Sequence, residues 1–330
     1  MSKLENILVV GAGSWGSALA CQVARTTDRK IELLSQDQNI VSEILGNRTN
    51  SKYFGNIQLP TNIVPLYKYP DLRNKNVIII AVPSNAFSDV LYDLKVNNIS
   101  NDAILIVATK GLSDNPVELL SDKIKATFSN QFAFIAGPNF AKEVVAGLLT
   151  HATLASENIS LARSIAASLS SANFIIKAID DIVTIQIAGA MKNIIAIKSG
   201  IYEALGCGEN AKAALITDGL KEIITLSQLI GGKLETIVEA GVVGDLVLTC
   251  YSKTSRNTKF GYELAMNQYP NNFLEHYPDL VEGVHSTKLI MELIKKYNIN
   301  LPIVSSVANS IWNSPLHPLF SKEKTSTPSI

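Results

Sequence analysis

Cysteine, histidine and tryptophan are scarce in this chain of 330 residues, with three, four and two copies. Cys21, Cys207 and Cys250 lie far apart and form no C-x-x-C pair, which excludes a disulfide framework and fits the thiol usage of a reducing compartment. So few histidines leave no obvious zinc cluster, and no metal is expected. Neither sign of charge is in surplus, because 29 Lys and Arg balance 29 Asp and Glu. Nucleic-acid binders draw much of their affinity from surplus basic residues, so no nucleic-acid partner is expected, and any anion must be held by a local constellation. The start, MSKLENILVVGAGS, has an apolar run of only four residues before glycine, too short for a signal-peptide core. The one membrane-length candidate, Ile182 to Ile201, carries Lys192 at its centre, where a lysine costs roughly 2.5 to 3.5 kcal/mol in a bilayer. A buried helix in a cytoplasmic protein, with no membrane span, is the expectation.

Apolar residues make up 47% of the chain against 18% charged, enough for packed cores and too much for dominant disorder. At ~150 residues per domain the length suggests about two domains. ILVV (Ile7 to Val10), IELL (Ile31 to Leu34), VIIIAV (Val77 to Val82), ILIVAT (Ile104 to Thr109) and FAFIAG (Phe132 to Gly137) lack polar alternation, as strands covered on both faces do. Helical periodicity at Trp15 to Thr26 and Pro116 to Thr127 falls between them, giving the β-α-β pattern of a doubly wound sheet. THATLA and NFIIKA flank a helical segment near Leu161 to Ser170 and extend the sheet. From about Asp181 the pattern turns to helices at Ile182 to Leu205, Asn210 to Ile230, Lys233 to Ala240 and Ser286 to Tyr297. The expected fold is therefore α/β: a Rossmann-like, mostly parallel sheet over 1–180, then an all-helical second domain over 181–330. The polar tail SKEKTSTPSI is expected to fray.

Gly11, Gly13 and Gly16 form G-A-G-S-W-G directly after one strand and directly before a helix. In that setting the first glycine allows a tight turn, the second lets backbone approach a pyrophosphate, and the third lets helix pack on strand. The helix N-terminus supplies N–H groups and partial positive charge, so phosphates need no basic side chain. Roughly 20 residues on, an acid would select NAD, whereas space and an arginine would accept the NADP phosphate. Ser35-Gln36-Asp37 occupies that point. Asp37 could reach the ribose or cap the next helix, and NAD against NADP stays open.

Three more segments carry polar residues that a scaffold does not need. Lys110 ends a parallel strand, where open sheets bind ligands. FIAGPNFAKEV turns through Gly137-Pro138 into a helix start near Asn139, where backbone N–H groups could face an anion. In the apolar helix, Gln186, Gly189, Lys192, Asn193 and Ala196 recur at three-to-four spacing and line one stripe.

Taken in order, GAGSWG, VPS (Val82 to Ser84), ATKGL (Ala108 to Leu112), GPNFAKEV (Gly137 to Val144), GAMKNIIAI (Gly189 to Ile197), AGVVGDLVLTC (Ala240 to Cys250), SRN (Ser255 to Asn257) and VEG (Val281 to Gly283) strongly resemble the bacterial NAD(P)-dependent glycerol-3-phosphate dehydrogenases, soluble enzymes of phospholipid precursor synthesis. The resemblance spans about residues 5 to 312 and implies a helical second domain like that of 6-phosphogluconate dehydrogenases. It also implies roles. Lys192 would be the proton acceptor. Lys110, Gly137, Asn139, Lys192, Asp245, Ser255, Arg256 and Asn257 would contact substrate. Gly11, Gly13, Ser14, Trp15, Gly16, Ser35, Gln36, Lys110, Ala141, Arg256, Leu280 and Glu282 would contact NAD or NADP. A homodimer is implied as well. Asn139 departs from the family's usual Thr or Ser, and Val284-His285-Ser286-Thr287 departs from the usual continuation after Glu282, which leaves His285 without a role.

The chemistry fits these residue types. Oxidising a secondary alcohol removes its hydroxyl proton, and the reverse reaction gives that proton back to an alkoxide. A lysine, ordinarily near pKa 10.4, serves only when burial or neighbouring positive charge lowers that value. Asp245 could orient the ammonium, and Asn193 is the neighbour placed to tune it. A substrate phosphate suits the hydroxyl, guanidinium fork and amide of Ser255, Arg256 and Asn257, though Ser255 could instead simply cap a helix. GVVGD reads as a tight turn. Two alternatives keep the dinucleotide site: a 3-hydroxyacid or ketopantoate-type reductase, which reads a carboxylate, and a catalytically silent dinucleotide-binding regulator, which needs no lysine.

Overall fold

The computed structural model describes residues 5–252, 254–267, 273–278 and 280–312; the polar tail read above as frayed lies outside them. The chain divides into two compact units. One holds the residues up to Ala190 together with Ile223–Asp245; the other holds Met191–Glu222 and the described residues from Leu246 onward.

The first unit is built on eight strands: β1 (Ile7–Val10), β2 (Ile31–Leu34), β3 (Ile63–Leu66), β4 (Val77–Ile80), β5 (Ile104–Val107), β6 (Phe132–Ala136), β7 (Thr150–Ala155) and β8 (Phe174–Ile179). Their order is β3-β2-β1-β4-β5-β6-β7-β8. All pairings are parallel except β6 with β7. Every residue of β1 and β4 is buried, as their unbroken apolar runs require of central strands. Sequence patterning misses β3 because IVPL contains Pro65. The strand lies at the sheet edge, where a proline need not cost a ladder bond. The connections carry α1 (Ser14–Thr26), α2 (Gln38–Asn47), α3 (Ser51–Phe54), α4 (Phe87–Val96), α5 (Leu120–Thr127), α6 (Ala141–Ala146) and α7 (Ile159–Leu169). The helix expected from Pro116 begins only at Leu120. Strand order reverses about β1, which has β2 on one side and β4 on the other, so a crevice opens at their carboxyl ends.

Helix α1 packs its apolar face on this sheet and on α6, and the Arg25 guanidinium donates to the carbonyls of Val144 and Val145. Cys21 lies fully buried on α1, and burial pushes its thiol up to about 12. The thiolate is the reactive form. A thiol reagent at neutral pH should therefore label half-buried Cys207 well before Cys21 in the native protein. Comparable labelling of both, read by mass spectrometry, would show that α1 opens.

The remaining helices are α8 (Ile182–Ala204), α9 (Gly208–Leu229), α10 (Asp245–Tyr251), α11 (Arg256–Met266), α12 (Glu282–Tyr297) and α13 (Pro302–Trp312). Among the described residues no strand follows β8. Asp181 starts α8 by accepting from the backbone N–H groups of Val183 and Thr184, both at 3.0 Å, and its other oxygen takes the Lys233 N–H at 2.8 Å. Helix α8 is long and apolar enough to cross a membrane, yet 89% of its most apolar window is buried within the protein. In the second unit α8 meets α11 through glycine. A Cβ on Gly200 would sit 1.9 Å from the Thr258 carbonyl oxygen, and one on Gly261 1.9 Å from that of Ile197. Two backbones therefore touch where any larger residue would hold them apart. Glu222 of α9 accepts from the N–H groups of Ile303 and Val304, capping α13, and burial raises the pKa of its carboxyl. The stretch Lys233 to Ala240, expected to be a helix, is instead a 3-10 turn over Leu234–Val238. It leads into a π-turn at Ala240–Gly244, which replaces the tight turn expected of GVVGD.

Candidate active site

The glycine turn sits at the carboxyl end of β1, in the crevice. Gly11 has φ +106° and a Cβ there would lie 2.5 Å from the Ala81 carbonyl oxygen; a Cβ on Gly16 would lie 1.8 Å from that of Gly11. Both are packing glycines. A Cβ on Gly13 meets nothing within 4 Å, so its lack of side chain leaves backbone open to a ligand. Gly13 is also the N-cap of α1 and offers no side-chain cap. The Ser17 hydroxyl and the Asn50 amide both donate to the Ala12 carbonyl, at 3.2 and 3.1 Å, and hold the turn. The Trp15 indole N–H is buried and without a partner. An open backbone, an uncapped helix start and an orphaned donor fit a dinucleotide's pyrophosphate. The three glycines should thus respond differently to alanine. Gly16→Ala should lower the unfolding temperature by several degrees. Gly13→Ala should leave it nearly unchanged and weaken dinucleotide binding about tenfold or more. Calorimetry and fluorescence titration read the two effects, and equal destabilisation by both would contradict this division.

At the end of β2, Ser35 is buried and its Oγ accepts from the Asp37 N–H at 3.1 Å, while Gln36 is exposed. Asp37 caps α2 by accepting from the Asn39 N–H at 2.9 Å. That bond uses Oδ1 of the carboxylate.

Lys110 follows β5, and its Nζ lies 2.7 Å from Oδ2 of Asp245, whose side chain is 3% exposed against 20% for the lysine. A Cβ on Gly189 would lie 3.7 Å from that of Lys110, so the small residue leaves the lysine room beside α8. Gly137 ends β6 under equal constraint, since a Cβ there would be 2.7 Å from the His151 carbonyl oxygen. Asn139 donates to that same carbonyl at 3.0 Å, which leaves its buried Oδ1 without a partner. Ala141 opens α6.

In the second unit Lys192 is 7% exposed and its Nζ donates to Thr249 Oγ1 at 3.1 Å. Asn193 donates to Glu282 Oε2 at 3.4 Å and accepts from Asn257 Nδ2 at 2.9 Å, and Asn257 Oδ1 takes the Gly283 N–H at 2.9 Å. This amide chain ties α8, α11 and the start of α12 together. Ser255 caps α11 by accepting from the Thr258 N–H at 3.3 Å, which keeps its hydroxyl proton available to a ligand. Arg256 is 59% exposed and stands 3.9 Å from Glu282. Leu280 is exposed. The other lysine of α8, Lys198, donates to Ser306 Oγ at 2.6 Å on α13, and burial lowers its pKa.

Two family models match the chain: the N-terminus of the NAD-dependent glycerol-3-phosphate dehydrogenases over residues 6–162 and their C-terminus over 181–315. The chain belongs to that family. The glycerol-3-phosphate dehydrogenase [NAD(P)+] of Rickettsia bellii is 49% identical over 94% of this chain and 100% of its own length, and that of Rickettsia typhi 49% over 94% and 98%. The glycerol-3-phosphate dehydrogenase structure from Coxiella burnetii superposes with a TM-score of 0.85 at 33% identity, covering 93% of this chain and 94% of that one. A Rossmann-like sheet followed by helices is the architecture of this dehydrogenase family, as the sequence leads one to expect.

Within a glycerol-3-phosphate dehydrogenase, the residues expected at the site fall into local groups in each unit. Gly11, Gly13, Ser14, Trp15 and Gly16 form the turn. Lys110 pairs with Asp245, Gly137 adjoins Asn139, and Ser255, Arg256 and Asn257 open one helix. Sequence reasoning missed the partners that hold them: Thr249 under Lys192, Asn50 under the glycine turn, and Thr153, whose hydroxyl accepts from the Gly241 N–H at 3.0 Å. A polar residue inside an apolar strand, such as Thr153 in THATLA, is the signal that could have found the last. His285 lies on α12 with a buried Nε2 that has no partner, and nothing in the structure gives it a role.

Proposed function

We propose that this chain is a cytoplasmic enzyme that interconverts dihydroxyacetone phosphate and sn-glycerol 3-phosphate, supplies glycerol 3-phosphate for phospholipid synthesis and works as a homodimer. Residues 1–180 and 181–330 are its proposed dinucleotide and substrate domains, a division the bounds of the two family models support. Helix α8 is read as a core helix, with no membrane span. The observation that carries the reading is Lys192: a buried amine in an apolar helix, held by the Thr249 hydroxyl, in a chain of this family.

The bound dinucleotide, NAD(H) or NADP(H), supplies or accepts the hydride. Lys192 Nζ gives a proton to the alkoxide that forms at the substrate's C2 and takes one from the hydroxyl in the reverse direction. Its neighbour Asn193 is fixed by Glu282 and Asn257, so the helix turn that bears the amine is held in place. Lys110, oriented by Asp245, contacts substrate and cofactor. Gly137 and Asn139 contact substrate, and the unpartnered Asn139 Oδ1 is an acceptor for a hydroxyl. The Ser255 hydroxyl, the exposed Arg256 guanidinium and the second N–H of the Asn257 amide bind the phosphate. Ser14, Trp15, Ser35, Gln36, Ala141, Arg256, Leu280 and Glu282 line the cofactor. Asp37 Oδ1 caps α2 just beyond the end of β2, and the proposed cofactor is NAD or NADP.

Substrate competition tests this reading. Dihydroxyacetone phosphate should discharge the reduced-nicotinamide absorbance with either cofactor, and ketopantoate or a 3-oxo acid should not. Turnover of the carboxylates alone would sink it.

A further inference from the structure

We propose that Thr153 is a positioning residue for the Lys110–Asp245 pair and acts through the π-turn that precedes Asp245. This inference rests on the reading of that pair as part of the active site.

Asp245 is the first residue of α10, and its N–H donates to the Ala240 carbonyl five residues back, closing the π-turn Ala240–Gly244. A π-turn adds a residue to one helical turn, which rotates everything after it by about 100° relative to a continuous α-helix. That rotation decides where the Asp245 carboxylate points. π-turns are individually costly and persist where surroundings fix them. The fixing groups come from the last two strands of the sheet. On β7, fully buried Thr153 accepts from the Gly241 N–H at 3.0 Å. On β8, Lys177 Nζ lies 2.5 Å from Glu239 Oε1, immediately before the turn. The seat admits only glycine at 241, because a Cβ there would lie 2.9 Å from Thr153 Cβ and 3.0 Å from Ile185 Cδ1. At the far end a Cβ on Gly244 would meet Pro138 at 3.4 Å, beside the turn that carries Gly137 and Asn139. Lys177 is 67% exposed, so solvent screens its end of the pair, although Glu239 itself is only 11% exposed; the pair also holds the residue before the turn and not an N–H within it. Thr153, fully buried and bonded to an N–H of the turn itself, is the anchor. When its hydroxyl is gone, a buried N–H loses its acceptor, the turn can relax towards an ordinary α-turn, and Asp245 swings away from Lys110 Nζ, now 2.7 Å distant.

The test uses the full chain with Thr153→Val, which keeps shape and removes the acceptor, and Thr153→Ser, which restores it. Thr153→Val should lower kcat roughly ten- to a hundredfold, with cofactor affinity within about twofold of wild type, and Thr153→Ser should recover most of the loss. In an Asp245→Asn background, where the carboxylate is already removed, adding Thr153→Val should cost almost nothing further. Full activity in folded Thr153→Val, equal loss in Val and Ser, or an undiminished loss in the Asp245→Asn background would each overturn the proposal. If Thr153→Val does not fold, Thr153→Cys keeps the volume with a weaker acceptor and should fall between wild type and the valine loss; wild-type activity there would overturn it. Native-state hydrogen exchange supplies a readout independent of turnover. The Gly241 amide should exchange much faster in the Val or Cys variant while α7 amides stay as they are, and an unchanged rate would refute the latch. Absence of wild-type turnover would defeat the functional reading alone, and the exchange result would still decide the latch.

Discussion

Replacing Lys192 with alanine should abolish turnover while leaving dinucleotide binding near wild type. General acid–base catalysis by one positioned group is worth roughly 10²- to 10⁴-fold. Lys198 lies six residues on along α8 and is occupied at Ser306 Oγ. Removing a side chain that is 7% exposed also leaves a cavity, so Lys192→Met, of similar length, separates packing from proton transfer. Lys192→Arg goes further, because it keeps the positive charge but cannot release a proton at ordinary pH. All three variants should be inactive, and the methionine variant should unfold near the wild-type temperature. Turnover within about threefold of wild type in any of them would remove Lys192 from the role of proton acceptor. Stopped-flow single turnover, with cofactor binding followed by fluorescence, makes the distinction.

The local geometry around several candidate site residues was legible because it is set by neighbours in sequence. A strand, a glycine turn and a helix start are consecutive, so the spacing of Gly11, Gly13 and Gly16 specified the turn and the close packing of its first and third glycines. The apolar strands were equally plain, since parallel strands buried on both faces have little use for polar residues. What stayed hidden depends on long-range packing. β3 was obscured by Pro65, tolerated only because the strand is an edge. The π-turn has no signature in AGVVGD, and the hydroxyl that bonds its Gly241 N–H belongs to Thr153, 88 residues earlier in the chain. The Asn39 N–H on Asp37 Oδ1 is visible only in the folded chain. The contact of α8 with α11 through Gly200 and Gly261 was likewise unreadable, since a glycine inside a helix signals close approach without saying to what.

Replacing Arg256 with alanine should damage recognition of the phosphorylated substrate selectively. A charge-assisted hydrogen bond contributes about 1.5 to 3 kcal/mol, so kcat/KM for dihydroxyacetone phosphate should fall roughly ten- to a hundredfold, more if the guanidinium binds two phosphate oxygens. For dihydroxyacetone, which has no phosphate, it should change by no more than about twofold. Arg256 is 59% exposed and 3.9 Å from Glu282, so its loss should cost little stability. Glu282 keeps its hydrogen bond from Asn193. Lysine should rescue poorly, because an ammonium cannot reproduce the planar fork. Equal losses for both ketones would assign Arg256 to the cofactor or to the fold and leave the phosphate with Ser255 and Asn257. Cofactor affinity measured on the same protein separates the first of those outcomes, because the residue is also proposed to reach the dinucleotide.

The most direct test is the stoichiometry of the reaction itself. Purified wild-type protein would be mixed with a limiting, known amount of dihydroxyacetone phosphate and excess reduced dinucleotide. Cofactor oxidation would be followed by absorbance, and the product identified by mass spectrometry and a stereospecific assay. The expected result is one equivalent of cofactor oxidised for each equivalent of sn-glycerol 3-phosphate formed, with NADH and with NADPH. No oxidation, or oxidation without glycerol phosphate, would contradict the assigned reaction.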